Sequence, residues 1–119
     1  MKKKNISNYN ILNLTPKCLL EHEVNKDGLI NILVPRFKIE FLQKLIPKKI
    51  SPYINANLDE LGSAVWELIN GNRSVVDIAD KIKEKKGEIE QVYERVGFFF
   101  QQLYRNNFIT FVEIDNLDN

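Results

Sequence analysis

At Leu58 the hydrophobic period of this chain changes, and that change constrains the fold more than any other feature. Before it, apolar residues recur every second position in short runs; after it they recur every three to four, the spacing of helices that bury one side. Strands first and helices afterwards, in 119 residues, predict an α+β domain with a single core.

The first run is Cys18 to Asn25, where Cys18, Leu20, His22 and Val24 alternate with Leu19, Glu21, Glu23 and Asn25. Asn25-Lys26-Asp27-Gly28 then predicts a hairpin, because glycine accepts the positive φ that tight turns require. The second strand, Leu29 to Phe37, places Ile30, Ile32 and Val34 on one face and stops near Pro35. Residues 38–49 read as a short helix closed by Pro47, with Ile39, Leu42 and Ile46 at helical spacing. The third strand, Ser51 to Asn57, alternates Ile54, Ala56 and Leu58 with Tyr53, Asn55 and Asn57.

Three helices follow. Leu58, Leu61, Val65, Leu68 and Ile69 form the stripe of the first, capped by Asp59 and ended by Asn70-Gly71. Ser74 opens the second with Asp77 three residues on, the spacing of a capping box, and Gly87 stops it. The third runs from Glu88 to about Asn106, and its apolar face is unusually wide. Ile89, Val92, Val96, Phe99 and Leu103 already supply a docking stripe, yet Tyr93, Gly97, Phe100 and Tyr104 form a second column beside it. Gly97 inside a helix costs about 0.8–1 kcal/mol relative to Ala, which points to another backbone passing close there. The bland reading of both columns is core; the functional reading is one wall of a groove. In that groove an extended peptide adds itself to the edge of the third strand, at Tyr53, Ile54, Asn55, Ala56 and Asn57, against Tyr93, Val96, Gly97, Phe100 and Tyr104.

Residues 57–71 (Asn-Leu-Asp-Glu-Leu-Gly-Ser-Ala-Val-Trp-Glu-Leu-Ile-Asn-Gly) and 73–79 (Arg-Ser-Val-Val-Asp-Ile-Ala) resemble the signature of the PqqD family: a strand ending in Leu-Asp, a helix carrying Trp66, a helix-ending Asn-Gly and a Ser-Val opening of the next helix. The resemblance extends from about Lys17 to Phe111. It implies a winged-helix-like α+β domain, a three-stranded antiparallel sheet followed by three helices, acting as a RiPP precursor peptide recognition element. Such a domain is a peptide chaperone without catalysis or cofactor. It holds a leader peptide between third strand and third helix and presents the precursor to a modifying enzyme, a radical SAM enzyme in the PqqD case. The domain would then span residues 17–113, after a flexible lead-in at 1–16, whose Ile11, Leu12 and Leu14 could nonetheless dock on the body, and before a tail at 114–119. The connection 38–52 is longer than the family's short turn. Arg36, Lys38, Lys44, Lys48 and Lys49 make it basic, a candidate contact for a partner or simply a solvated face.

Charge separates the remaining readings. Residues 1–58 carry ten Lys and Arg against four Asp and Glu, and residues 59–119 seven against twelve, so +6 faces −5. A winged helix-turn-helix binding DNA is the alternative class. However, the third helix has Glu88, Glu90 and Glu94 against Arg95 and Arg105, where phosphate contacts need a cationic face, and residues 109–113 are too few for a two-stranded wing. A homodimer seam on the third helix is a further reading. One cysteine, Cys18, and one histidine, His22, cannot build a metal cage alone; four residues apart on one strand they would share a face, but no orienting Asn or Asp accompanies them. The lysine-rich start lacks an apolar run after it, and no 18-residue apolar stretch exists, so the expected location is the cytoplasm, without membrane insertion.

Overall fold

The computed structural model describes residues 6–36, 40–87 and 89–117. It is a mixed α+β structure whose chain forms two compact units, one of residues 20–63 and the other of the residues up to Leu19 together with those from Ala64 onward.

The unit 20–63 contains the antiparallel sheet. β2 (His22–Val24), β3 (Ile30–Pro35) and β4 (Tyr53–Asn57) stand in the order β2-β3-β4, β1 (Pro16–Cys18) being a strand of the other unit. The β2–β3 turn is built by Asn25, whose side-chain oxygen accepts from the backbone N–H of Asp27 and of Leu29. Gly28 takes the positive φ, at 81°; an Asx turn of this kind fixes the register locally. That register sets His22 opposite Ile32 and Ile32 opposite Ala56. Ile30 and Ile32 are fully buried, as their alternation predicts. Between β3 and β4 the helix is shorter than its apolar spacing suggests: α1 spans Glu40–Lys44 and gives way to turns. Pro47 has no N–H to continue a helix, so the chain resolves into i→i+3 bonds at Leu45 and Ile50 instead. The backbone N–H of Arg36 donates to the Pro52 carbonyl and the Arg36 Nε–H to that of Ser51, bringing the chain back onto β3.

α2 (Glu60–Glu67) begins in this unit and ends in the other. Asp59 caps it by accepting from Gly62 N–H at 2.7 Å. Its buried Ser63 hydroxyl receives the Ile30 N–H at 2.9 Å, satisfying a donor at the start of β3 that has no water to turn to.

In the other unit, α3 (Val75–Lys86) carries the expected capping box. Ser74 accepts from Asp77 N–H, and Asp77 accepts from Ser74 N–H. Val75, Ile78, Ala79 and Ile82 form its buried stripe, and Gly87 ends it at φ 79°. α4 spans Val92–Arg105, four residues later than the expected start at Glu88. Gln91 precedes it in the left-handed region at φ 54°, a conformation that cannot join a right-handed helix.

Three expectations change here. The run from Cys18 to Asn25 is not one strand: β1 (Pro16–Cys18) pairs antiparallel with β5 (Ile109–Phe111), Cys18 opposite Ile109, while His22 belongs to the β2-β3-β4 sheet. Alternation reports faces, not partners, so a change of sheet inside one alternating run leaves no mark. The lead-in is docked from Ile6 onward: Ile6 and Leu14 are buried, Ile11–Asn13 form a 3₁₀ turn, and the Leu14 carbonyl accepts from Val75 N–H. The tail forms α5 (Val112–Leu117) with Ile114 buried, held to the lead-in by Thr15, whose N–H and hydroxyl both donate to the Glu113 carboxylate at 2.7 Å.

Candidate functional site

Among the described residues, β4 pairs with one strand, β3. In the antiparallel ladder, hydrogen-bonded and non-bonded pairs alternate, and Leu58 N–H donating to Ile30 together with Arg36 N–H donating to Pro52 fixes which is which. Positions 52, 54, 56 and 58 direct their peptide groups at β3. Tyr53, Asn55 and Asn57 therefore direct theirs at the open side. The Tyr53 N–H is covered locally by the Ser51 hydroxyl at 3.2 Å. What remains on the open side, among the described residues, is the N–H and C=O of Asn55 and of Asn57 and the C=O of Tyr53.

Side chains leave that edge uncovered. Tyr53, Ile54, Asn55 and Asn57 are exposed and Ala56 is half-buried, with Ile54 half exposed at 50%. Sheet edges are ordinarily guarded by charge, by proline or by brevity. The outer strand on the other side of the sheet, β2, is only three residues long, carries Glu23 and follows Glu21. β4 is five residues long and carries no charge at all.

The α4 residues read as the other wall belong to the other unit. Val96, Gly97, Phe100 and Tyr104 are buried. The Tyr104 ring packs on Phe111 with centroids 5.2 Å apart. Tyr93 is half-buried; its hydroxyl donates to Asp80 of α3 at 2.5 Å, and Lys83 Nζ lies 6.0 Å from its ring centroid. A Cβ placed on Gly97 would meet the Ile11 Cγ2 methyl at 3.4 Å, so the close neighbour anticipated there is a side chain of the lead-in rather than a backbone. Side chains already buried offer a peptide no new area unless their cover moves.

The reading of the residues missed the surface of α4 that stays open. Phe98 is 63% exposed and lines a cleft of about 590 Å³ with Tyr93, Gly97 and Gln101 on one side and Tyr9 and Leu12 on the other. The signal was present: three consecutive phenylalanines, 98–100, cover more of a helix's circumference than one stripe can bury. Among the basic residues of the β3–β4 connection, Arg36, Lys44, Lys48 and Lys49 are exposed, and Lys38 lies outside the described residues.

Cys18 and His22, expected on one strand face, stand in different sheets. Burial pushes the Cys18 thiol up to about 11, the opposite of what a nucleophilic thiolate needs.

The chain is a mixed α+β protein whose candidate surface is the bare outer strand of its three-stranded sheet. Residues 54–109, from within β4 to the first residue of β5, match the family model of PqqD, coenzyme PQQ synthesis protein D. Over that stretch the chain is PqqD-like, as residues 57–79 indicate. No curated protein and no solved structure matches the chain.

Proposed function

We propose that this chain is a non-catalytic peptide-binding adaptor of RiPP maturation. It takes the leader of a ribosomally made precursor as an added strand on β4 and presents the precursor to a modifying enzyme, a radical SAM enzyme by analogy with PqqD. The observation that carries the proposal is the five-residue, uncharged, exposed edge of β4 within a PqqD-like segment.

Asn55 and Asn57 each offer one donor and one acceptor to an added strand, and Tyr53 offers one further acceptor. Net hydrogen bonds of this kind contribute about 1 kcal/mol each, and micromolar affinity needs about 8 kcal/mol. Backbone pairing thus supplies about 5 kcal/mol of it. The rest comes from apolar contact, for which Tyr53 and Ile54 are available on the two faces of β4. A leader suited to this edge alternates bulky apolar residues with permissive ones.

The test is titration of labelled leader peptides, taken from short reading frames beside the gene, into wild type and Asn55→Pro. Proline at 55 removes an outward N–H and leaves the peptide groups of Ile54 and Ala56 on β3, a placement edge strands tolerate. Wild-type binding that weakens by at least about tenfold, a loss of about 1.4 kcal/mol, in a variant with unchanged circular dichroism is the expected result. Equal affinity of the two proteins, or no binding by any such leader, overturns the proposal.

A further inference from the structure

The connection between β3 and β4 contains a second surface, one that strand addition does not use. Arg36, Leu42, Leu45, Ile46, Pro47 and Ile50 line a concavity of about 310 Å³. Leu42, Leu45 and Ile50 are exposed at 39%, 62% and 47%. Single exposed aliphatics are ordinary on protein surfaces; three around one depression form a contiguous patch, and such patches mark contacts.

The segment that forms this patch is predominantly basic. Residues 36–52 contain five Lys and Arg and a single acid, Glu40. Lys44, Lys48 and Lys49 are exposed in the same segment, and Arg36 sits in the lining itself, its guanidinium oriented by the Nε–H bond to the Ser51 carbonyl. An apolar depression lined by Arg36 in a lysine-rich segment favours a ligand that is apolar at its centre and anionic around it.

We infer that this depression is a docking site for an acidic segment of a protein partner that inserts one bulky apolar side chain between Leu42, Leu45 and Ile50 and sets its carboxylates against Arg36, Lys48 and Lys49. An anionic bilayer shares the charge but not the shape. Membrane-binding loops present protruding apolar residues to a fluid surface, whereas a concavity requires a knob to fill it. The inference stands apart from the strand-addition reading, since none of these six lining residues lies on β4.

Two peptides and one vesicle preparation test it against isotope-labelled full chain by amide chemical-shift mapping. The first peptide is a ten-residue acidic sequence with a central Phe-Leu pair, the second the same sequence with lysine for every acid, and the vesicles are phosphatidylcholine with roughly a quarter phosphatidylserine. The acidic peptide is expected to shift the amides of residues 42–50 and to bind at least about tenfold more tightly than its lysine counterpart. Leu45→Ser, and separately Lys48→Glu with Lys49→Glu, weaken it by at least about tenfold, while Asn55→Pro leaves it unchanged. Because these are exposed positions, each variant is checked for native circular dichroism first, and loss of fold in one leaves the other decisive. Equal binding of both peptides, no shift up to about 1 mM acidic peptide, or vesicle binding without peptide binding overturns the inference.

Discussion

Gly97 is the position at which the packing of α4 can be tested most directly, because alanine and leucine there should move stability in opposite directions. An interior helical glycine costs about 0.8–1 kcal/mol relative to alanine. Among the described residues, nothing outside its own helix requires that cost: the added Cβ would meet Ile11 Cγ2 at 3.4 Å, an ordinary contact distance. Gly97→Ala should therefore stabilise the protein by up to about 1 kcal/mol, a rise of about 4 °C in Tm for a domain of this size. Gly97→Leu adds three further carbons against Ile11, and overpacking of that kind costs about 1–3 kcal/mol. The cost should be relieved by displacing the lead-in, since Ile11 belongs to a segment anchored chiefly by Ile6, Leu14 and the Thr15–Glu113 bonds. Urea denaturation gives the two stabilities, and hydrogen exchange of residues 6–14 reports the displacement. An alanine variant less stable than wild type by more than about 1 kcal/mol, or a leucine variant whose residues 6–14 exchange as slowly as wild type, would refute this account of the site.

Three other perturbations follow from the same structure. Ser63→Ala leaves the buried Ile30 N–H without its acceptor and should cost about 1–3 kcal/mol, read as a lower urea midpoint at unchanged m. Cys18, raised to about 11 from 9.0 by burial, should react with iodoacetamide at pH 8 roughly a hundredfold more slowly in the native than in the unfolded chain. Because its folded value is the higher one, its contribution to stability is present below pH 9.0 and is lost as pH rises from there towards 11; Cys18→Ala should flatten that alkaline limb. Burial of the Glu113 carboxyl opposes ionisation, but the Thr15 hydroxyl and N–H and its own backbone N–H outweigh it and lower its pKa from 4.5. Its contribution is thus present above pH 4.5 and lost as pH falls through the depressed folded value. Thr15→Val should remove part of that acid dependence in urea melts, and an unchanged pH profile would show the carboxylate to be held by something else.

The elements whose signals are local were legible in the sequence. Asn25-Lys26-Asp27-Gly28 specifies its turn through its own side chain and glycine, and Ser74 with Asp77 specifies the start of α3, so neither depends on distant partners. What could not be read is what depends on pairing across the chain. The β1–β5 contact joins residues 16–18 to 109–111, and three-residue strands carry too few positions to name a partner. The Asn-rich composition of the lead-in suggests a loose segment in which Ile11, Leu12 and Leu14 could dock, and it hides the further anchor Ile6, which is buried. Gly97 signalled that something lies close, and a glycine cannot say whether that neighbour is a backbone or the methyl of Ile11.

The candidate edge was legible for a reason of a different kind, one that concerns what is missing. A strand with a free side risks pairing with any extended chain, and the inexpensive protection is a charged residue or a strand too short to template another. β2 has both forms of protection, with Glu23 in a three-residue strand. β4 has neither: Tyr-Ile-Asn-Ala-Asn holds no charge over five residues, and Pro52 precedes the strand rather than interrupting it. The two asparagines whose backbone groups face outward keep the edge soluble without repelling a second backbone, and Tyr53 and Ile54 add apolar area on each face. Introducing the missing guard at an outward-bonding position, as in Asn57→Lys, separates the two explanations of this composition. If the bare edge serves peptide capture, the lysine variant should remain folded while leader binding falls for basic leaders most of all. If the composition only satisfies the β3–β4 pairing, the lysine variant should lose stability, and leader binding by the molecules that remain folded should not change.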